Sequence, residues 1–425
     1  MPGNSLSDSF KETEIGPIPM DWDVVPLRDL ATEFFSGGTP STKRSEFWDG
    51  NIPWTTSAYI DGLYLDEGAK YITSQGLERS SSKLIPRGNL LIGTRVGVGK
   101  VAITSIDIAI SQDLTGAIVD RTKAHPEFLA YAIQSDGVQE LIRLSSRGTT
   151  IKGIPREDLV QIPIPLPFLP EQRRIAHVLS AIQRAIAAQD SLIAAAREVK
   201  RSLMQRLFTY GPGPEPAATK ETEIGEMPVH WGLVPLRELA VQFFSGGTPS
   251  TKKPELWNGD IPWTTSAYIE GLYLDRGAKY ITARGLERSS AKLVPQGNLL
   301  IGTRVGVGKV AINSIDIAIS QDLTGVIVDK AKVHLEFLAY AIQSDGVQAL
   351  IQSFTRGTTI KGIPRKDLAQ VPISLPPLKE QYSVAHAFQA VDRKIEAEEQ
   401  RKAALQAFFK AMLHQLMIGK LRLKW

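Results

Sequence analysis

Three glycine-containing segments carry the side chains that are best suited to hold a polyanion. They are SGGTPSTK at Ser36–Lys43, GTRVGVGK at Gly93–Lys100 and SRGTTIKG at Ser146–Gly153. Glycine lets a backbone approach another surface closely, and hydroxyl, Lys and backbone N–H groups donate hydrogen bonds to phosphate oxygens. Arg can donate two hydrogen bonds to a guanine in the major groove. These segments therefore predict surface loops that contact DNA.

Each segment recurs once further along the chain. Lys11 of KETEIG recurs as Lys220, and Gly88 of GNLLIGTRVGVGKVAI recurs as Gly297, so each offset is 209 residues. Between Lys11 and Gln172, 124 of the 162 positions are identical to their partners, with no insertion or deletion. Because this period is too long for a solenoid or propeller unit, it predicts the tandem duplication of a whole domain.

The candidate DNA contacts are residues of these segments and of the run TTSAY that follows Trp54. Arg95 and Arg304 are the expected base readers, followed by Arg147 and Arg356. The set in the first copy is Ser36, Gly37, Thr39, Thr42, Lys43, Thr55, Thr56, Ser57, Tyr59, Thr94, Arg95, Lys100, Arg147, Thr149, Thr150 and Lys152. The set in the second copy is Ser245, Gly246, Thr248, Thr251, Lys252, Thr264, Thr265, Ser266, Tyr268, Thr303, Arg304, Lys309, Arg356, Thr358, Thr359 and Lys361.

An ordinary structural role is the alternative for each of these residues. Loops rich in Gly, Thr and Ser are common turns, and an Arg at a strand edge often pairs with a carboxylate. Trp54 and Tyr59 are equally compatible with core packing.

Motifs that suggest catalysis are incomplete. The distance from Gly93 to Gly99 is one residue too long for a phosphate-binding P-loop, and Val101 stands where Ser or Thr would hold Mg²⁺. The SSSK run that ends at Lys83 lacks the SDN and KTG partners of an SxxK nucleophile. The chain has no Cys, which excludes disulfides, Cys-ligated zinc and Fe–S clusters. We therefore expect no catalytic residue and no metal site in this chain.

Three patterns predict how each copy is built. Gly88–Asp120 alternates short apolar runs with glycines, which predicts several short strands. Pro126–Ile142 starts with Pro and has apolar residues at helical spacing, which predicts one helix. Val160–Pro170, VQIPIPLPFLP, predicts an extended exit strand because its prolines exclude a helix.

A long amphipathic helix is predicted after each domain. Apolar residues recur there at spacings of four and three, which is the heptad pattern of paired helices of roughly 38 residues, or about 57 Å. These residues are Ile175, Leu179, Ile182, Ile186, Ile193, Val199, Leu203 and Leu207 in the first helix, and Val384, Phe388, Val391, Ile395, Leu405, Phe409, Met412 and Leu416 in the second. Either the helices pair with each other or each packs on its own domain. Antiparallel pairing would place the domains at opposite ends about a pseudo-two-fold axis, the symmetry of B-DNA.

The expected fold class is α+β, with two repeated mixed α/β domains joined by two long antiparallel coiled-coil helices. The predicted division is a tail at residues 1–10, domain 1 at 11–169, helix 1 at 170–209, a linker at 210–219, domain 2 at 220–378, helix 2 at 379–418 and a tail at 419–425. The Pro and Gly content of YGPGPEPAAT identifies the linker.

Bulk properties are compatible with a nucleic-acid partner without requiring one. The net charge is +4 and the isoelectric point is about 9.0, which permits binding to a polyanion. No apolar run approaches the roughly 20 residues of a membrane span. The polar start, MPGNSLSDSFKETE, is unlike a signal peptide, so a cytoplasmic location is expected.

The junction between domain and helix resembles that of type I restriction-modification specificity subunits. It reads RGTTIKGIPREDLVQIPIPLPFLPEQRRIAHVL from Arg147 and RGTTIKGIPRKDLAQVPISLPPLKEQYSVAHAF from Arg356. The domain openings ETEIGPIPMDWDVVPLRDL and ETEIGEMPVHWGLVPLREL and the terminal MIGKLRLKW are also similar to that family. The second junction departs from the proline-rich pattern at Ser374 and Tyr382.

The resemblance implies a non-catalytic subunit in which each domain is a target recognition domain for one half of a bipartite DNA site. It also implies that the long helices act as an antiparallel spacer and dock two methyltransferase subunits. Those subunits would use S-adenosylmethionine for adenine N6 methylation, and separate restriction subunits would translocate and cleave DNA with ATP and Mg²⁺. No cofactor is expected on this chain.

The near-identity of the two domains predicts a palindromic, interrupted target, although members of this family usually carry two different domains. A recent duplication explains the same near-identity. Two other function classes remain as alternatives, a two-lobed scaffold or adaptor that binds no DNA and an enzyme that fuses recognition to catalysis. For the fused enzyme, the chain has no stretch left to hold a catalytic domain.

Overall fold

The computed structural model describes residues 10–148, 152–357 and 361–423. These residues form two units, of which unit 1 comprises Met1–Asp190 and Gln400–Trp425 and unit 2 comprises Ser191–Glu399. Each unit therefore holds one domain copy and parts of both long helices. Unit 1 therefore combines the first domain with the end of the second long helix, which the division predicted from the sequence assigns to separate parts of the chain.

The first copy and its long helix contain short strands and short helices followed by one long helix. In chain order these are β1 (Phe10–Lys11), β2 (Ile18–Pro19), β3 (Asp23–Pro26), β4 (Ala31–Ser36), β5 (Trp48–Thr55), β6 (Tyr64–Leu65), β7 (Lys70–Ile72), α1 (Ser74–Glu78), β8 (Lys83–Ile85), β9 (Leu90–Gly93), β10 (Val101–Thr104), β11 (Ile108–Ile110), β12 (Leu114–Val119), α2 (Pro126–Gln134), α3 (Asp136–Leu144), α4 (Arg156–Leu159), β13 (Pro163–Leu166) and α5 (Leu169–Tyr210).

The second copy repeats this order. It contains β14 (Thr219–Thr222), β15 (Gly225–Pro228), β16 (Gly232–Pro235), β17 (Ala240–Ser245), β18 (Trp257–Thr264), β19 (Tyr273–Leu274), β20 (Lys279–Ile281), α6 (Ala283–Glu287), β21 (Lys292–Val294), β22 (Leu299–Gly302), β23 (Val310–Asn313), β24 (Ile317–Ile319), β25 (Leu323–Val328), α7 (Leu335–Gln343), α8 (Asp345–Ser353), α9 (Arg365–Leu368), β26 (Pro372–Leu375) and α10 (Leu378–Met417).

Two small sheets form the body of each copy. In the first copy their strand orders are β4-β12-β9-β10-β6 and β7-β5-β11-β8, and the second copy repeats both orders. Most neighbours are antiparallel, whereas β6 with β10 and β5 with β11 are parallel. Strands β9, β10 and β11 are buried along their whole length. This confirms the prediction of several short strands over Gly88–Asp120.

The predicted exit strand is present but shorter than Val160–Pro170, because β13 spans Pro163–Leu166 and Leu169 and Pro170 already belong to α5. Strand β13 pairs antiparallel with β3, and Pro163 faces Pro26 while Leu166 faces Asp23. This ribbon joins the start of the domain to the point where α5 begins. The direction in which the long helix leaves is therefore set by residues near the start of the domain.

The prediction of one helix over Pro126–Ile142 is wrong, because α2 and α3 are separated at Ser135. Ser135 has extended backbone angles, φ −66° and ψ 149°, and its hydroxyl donates to the carbonyl of Ala132 at 2.7 Å. The break lets Gly137 pack against the carbonyl oxygen of Ile15, where a Cβ would collide. An uninterrupted helix would not permit this approach.

The two long helices confirm the predicted fold class, and within each unit their segments run antiparallel. In unit 1, Lys402 of α10 pairs with Asp190 of α5 at 2.5 Å. In unit 2, Arg197 pairs with Glu399 and Lys200 pairs with Asp392, both at 2.6 Å, so residue numbers rise along α5 as they fall along α10. Both helices also pack on the domains, so the two alternatives left open by the sequence coexist.

One predicted heptad residue lies outside the packed face of the helices. Val199 is 57% exposed, whereas Met204, which the heptad pattern did not include, is 8% exposed. The spacing from Ile193 to Val199 is six residues, which moves Val199 off the inner face of the helix.

Among the described residues, no helix is both long and apolar enough to span a membrane.

The contacts between helix and domain differ between the two units. In unit 1, Tyr131 donates to Gln183 at 2.9 Å, its ring lies 6.0 Å from that of Phe409, and burial raises its pKa to about 12. In unit 2, the equivalent Tyr340 donates to Asp392 at 2.8 Å. Asp392 forms an ion pair with Lys200 at 2.6 Å. Burial and the negative charge of Asp392 raise the pKa of Tyr340 further.

A clamp of charged groups closes unit 1 at its chain ends. Arg422 donates from Nε and Nη2 to the carboxylate of Glu171 at 2.7 and 3.0 Å and to both carboxylate oxygens of Asp21 at 2.9 Å. The buried Trp22 donates its indole N–H to Glu171 at 3.3 Å. In unit 2, Glu380 replaces Glu171 as acceptor, and its partners are Trp231 at 2.8 Å and His230 at 3.0 Å.

Replacement of Arg422 by Ala should destabilise unit 1. Glu171 is 6% exposed and would keep only the indole N–H of Trp22 among these partners. We expect the free energy of unfolding to fall by about 1–3 kcal/mol, the cost of leaving a buried polar group unsatisfied, as measured by chemical denaturation of the full chain. The control Arg401→Ala alters an exposed side chain of α10 and should have little effect.

The effect of Arg422→Ala should also depend on pH. The hydrogen bond from Arg422 lowers the pKa of Asp21 below its usual 3.8. A carboxyl with a lowered pKa stabilises the fold above its unfolded pKa, and this contribution is lost as the pH falls through the folded pKa. The difference between wild type and variant should therefore narrow as the pH falls below about 3.8. A difference that stays constant well below pH 3.8 would contradict a role for Asp21.

Candidate nucleic-acid interface

Asp113 lies at the centre of the region that the sequence assigned to DNA. One oxygen of its carboxylate accepts hydrogen bonds from the backbone N–H of Ser57, at 2.9 Å, and from the Ser57 hydroxyl. The other oxygen accepts from the hydroxyl of Ser111. Its backbone carbonyl accepts from the N–H of Thr94 at 2.8 Å and from the Thr94 hydroxyl at 3.1 Å. Asp113 therefore connects two of the predicted segments.

The segment Ser36–Lys43 joins the same region through its glycines. Gly38 N–H donates to the carbonyl of Ile110 at 2.9 Å, and a Cβ on Gly37 would collide with that carbonyl oxygen. Gly37 is thus buried and is not itself a DNA contact. Ser36, Thr39, Thr42 and Lys43 are exposed, as are Ser245, Thr251 and Lys252 in the second copy, where Thr248 is half-buried and Gly246 is buried.

In the run TTSAY, two further predicted DNA contacts in each copy are buried. Thr55, Ser57, Thr264 and Ser266 are fully buried, so their hydroxyls satisfy groups inside the domain and are not available to DNA. Thr56 and Thr265 are half-buried, and the rings of Tyr59 and Tyr268 are 55% and 53% exposed. Trp54 is a core residue whose indole N–H donates to Gly38 at 3.1 Å.

The loop between β9 and β10 presents an arginine to solvent. Arg95 and Arg304 are exposed, whereas Thr94 and Thr303 are each 6% exposed and are not available as contacts. Gly97 and Gly99 have φ values of +63° and +82°, which favour glycine and form the turn. The Lys100 amine donates to the carbonyl of Ile60 at 3.0 Å, and Lys309 does the same with Ile269 at 3.0 Å.

The third segment packs directly on this loop. Arg147 and Gly153 exchange two backbone hydrogen bonds, at 2.7 and 2.8 Å, and the N–H of Ile154 donates to the carbonyl of Thr94 at 2.9 Å. Arg147 pairs with Asp158 at 2.7 Å, and Arg356 pairs with Asp367 at 3.1 Å. The two arginines remain exposed, as do Lys152 and Lys361. Thr149, Thr150, Thr358 and Thr359 lie outside the described residues.

The structure therefore brings the three predicted segments together around the turn that contains Asp113, and the second copy repeats this arrangement around Asp322. Asp322 repeats the role of Asp113, with Ser266 N–H donating to it at 3.0 Å and Thr303 N–H donating to its backbone carbonyl at 2.8 Å. The exposed basic side chains at this surface are Lys43, Arg95, Lys100, Arg147 and Lys152, with Lys252, Arg304, Lys309, Arg356 and Lys361 in the second copy. Such a surface suits a polyanion.

Sequence reasoning missed the turn SQD, Ser111–Asp113, which recurs at Ser320–Asp322. The sequence SQD is identical in both copies. No residue pattern indicates that the Asp113 carboxylate accepts from three donors within the domain while Gln112 is exposed. Among the described residues, no group of three or more His, Asp or Glu side chains is arranged to hold a metal ion.

Replacement of Asp113 by Ala should loosen the turn that contains Ser57. The Ser57 N–H and the hydroxyls of Ser57 and Ser111 would lose their acceptor, at a cost of about 1–3 kcal/mol. We expect amide hydrogen exchange at Ser57 to become about 5- to 150-fold faster. Asp61→Ala, at an exposed carboxylate of the same domain, is the control, and equal exchange in the two variants would contradict the role of Asp113.

Comparison with known proteins gives a consistent result. A family model described as Type I restriction modification DNA specificity domain matches residues 19–195 and 228–407. A protein of Methanocaldococcus jannaschii, named as the specificity subunit of the type I restriction enzyme MjaX, is 28% identical over 98% of this chain and 97% of its own length.

Two solved structures share the fold. One, titled as the structural basis of complex assembly and conformational transition of the type I R-M system, has a TM-score of 0.60 and 23% identity, and covers 95% of this chain and 99% of its own. The other is an S subunit of a type I restriction-modification system from M. genitalium, with a TM-score of 0.58, 14% identity and coverage of 93% and 96%.

Proposed function

The chain belongs to the family of type I restriction-modification DNA specificity domains, and on that premise we propose that it gives such a system its DNA sequence specificity. Each domain copy reads one half of a bipartite site with the loops around Asp113 or Asp322. The alternative of a scaffold that binds no DNA is not favoured by this family membership.

One structural observation supports this proposal most strongly. Five equivalent basic side chains are exposed in both copies around the same hydrogen-bonded carboxylate, which is half-buried in Asp113 and buried in Asp322. Phosphate contacts fix the register of a protein on DNA, whereas side chains that reach the base edges provide specificity. An exposed Arg flanked by lysines and hydroxyls on tethered loops can provide both kinds of contact.

The proposed target is palindromic and interrupted. The segment GNLLIGTRVGVGKVAI is identical at Gly88 and Gly297, so the two domains should read the same short word. A palindrome requires the copies to read opposite strands in inverted orientation. The antiparallel course of the helix segments within each unit is compatible with such an arrangement.

The chemistry is proposed to belong to partner subunits. Two methyltransferase subunits would dock on this chain and use S-adenosylmethionine for adenine N6 methylation, and restriction subunits would use ATP and Mg²⁺. In this proposal the chain binds DNA and its partners and carries no catalytic residue or cofactor of its own.

Methylome sequencing of cells that express the chain with its methyltransferase subunits tests the proposed target. We expect a single palindromic motif with an unspecified spacer. Gel-shift of the purified chain, alone and with the methyltransferase, tests DNA binding directly. Two unrelated half-sites would refute the palindrome, and no DNA binding in either state would refute the proposed function.

Arg95→Ala combined with Arg304→Ala should relax the choice of base in both half-sites. A lost bidentate contact costs about 1–3 kcal/mol of discrimination, which is measured as the ratio of affinities for matched and mismatched duplexes. Arg79→Ala combined with Arg288→Ala, at exposed positions just after α1 and α6, is the matched control. An unchanged ratio would remove Arg95 and Arg304 from the base-reading residues.

A further inference from the structure

The turn at Ser111–Asp113 directs one side chain towards solvent, while its neighbours Ser111 and Asp113 are buried and half-buried. Ser111 is 1% exposed, and Asp113 is held by the hydrogen bonds to Ser57 and Thr94. Gln112, between them, is exposed. A side chain on a turn fixed at both flanking residues loses little backbone entropy when it binds a ligand, which is the condition for a preorganised contact.

The amide of Gln112 is itself oriented by a second loop. The Thr39 hydroxyl donates to Oε1 of Gln112, and Thr39 lies on the segment Ser36–Lys43 that Gly38 attaches to the carbonyl of Ile110. The second copy repeats the contact between Thr248 and Gln321. An amide oxygen has two lone pairs and its NH₂ group has two donors, so one acceptor position and the donors remain available.

We propose that Gln112 and Gln321 are base-reading residues that recognise adenine in the two half-sites. This inference rests on the proposed function. A Gln amide donates to N7 of adenine and accepts from its N6 amino group, a pair of contacts that only an A·T base pair offers in the major groove. The second lone pair of Oε1 takes the N6 hydrogen while the first remains with Thr39.

The surroundings of Gln112 favour a base contact over a phosphate contact. Gln112 is neutral, whereas the loops joined to its turn carry Lys43 and Arg95 as exposed cations. Cations supply the sequence-independent attraction to phosphate. A neutral amide adds little to that attraction but adds a donor and an acceptor pattern that distinguishes bases.

The experiment selects duplexes from a random DNA library with the full chain bound to its methyltransferase subunit, followed by sequencing. We expect Gln112→Ala to lose the preference for adenine at one position of one half-site by about 5- to 150-fold, from the usual worth of a bidentate contact. The other half-site should be unchanged. Gln321→Ala should produce the mirror-image result, because the two copies carry the same contact.

Two further variants separate base reading from structural effects. Gln75→Ala changes an exposed Gln on α1 of the same domain and should leave the selected motif intact. Thr39→Val removes the hydroxyl that orients Gln112 and should weaken the adenine preference at that same position only. The half-site read by the unaltered domain serves as an internal control for folding and assembly.

Each outcome has a definite meaning. If the wild-type complex selects no motif, the proposed function fails and this inference fails with it. If the wild type selects a motif and Gln112→Ala retains it, only the adenine-reading role is overturned. A uniform loss of affinity across all sequences would identify a phosphate contact, and lost preference for another base would refute adenine; either result overturns the inference.

Discussion

The candidate DNA-contacting surface depends on one carboxylate in each copy. Asp113 accepts a backbone N–H and a hydroxyl from Ser57 and a hydroxyl from Ser111, and its own carbonyl holds Thr94. An ionised carboxylate is acceptor-only, and the half-buried carboxylate of Asp113 accepts from all three of these donors, so each donor has its partner. Because an unsatisfied buried donor costs more than a formed hydrogen bond contributes, the loops that carry Ser57 and Thr94 are tied to a single geometry. The exposed side chains of those loops are positioned as a consequence.

The sequence predicted the large features well, because these follow from repetition and periodicity. The offset of 209 residues identified the duplicated domain, and heptad spacing identified α5 and α10. It failed where one residue type serves two purposes. Hydroxyls such as those of Thr55 and Ser57 can donate to a phosphate or to an acceptor inside the domain, here the carbonyl of Thr56 and the carboxylate of Asp113, and only the way strand β5 ends decides between these roles. The break at Ser135 escaped periodicity for a similar reason, since the approach of Gly137 to Ile15 is a tertiary contact.

The two long helices differ from each other at positions that contact the equivalent tyrosine of each domain. Tyr131 meets Gln183 and Phe409, while Tyr340 meets Asp392, which is paired with Lys200. A partly buried charge is tolerated when an opposite charge accompanies it, so a carboxylate at Asp392 and an ammonium at Lys200 belong together. Helix positions can thus change in matched pairs while the loops around Asp113 and Asp322 stay nearly the same.

The clamp at Arg422 also bears on the order in which the chain folds as it is synthesised. Unit 2 is one continuous segment, Ser191–Glu399, whereas unit 1 needs the last segment, Gln400–Trp425. The contact between Asp21 and Arg422 spans 401 residues. Domains generally fold as they leave the ribosome, and the entropy of closing a long loop must be overcome before a distant contact forms. Of the two units, unit 1 begins earlier in the chain and is therefore completed later. Its contact between Asp21 and Arg422 can form only after the segment Gln400–Trp425 has been synthesised, whereas unit 2 has all its residues once Glu399 has been added.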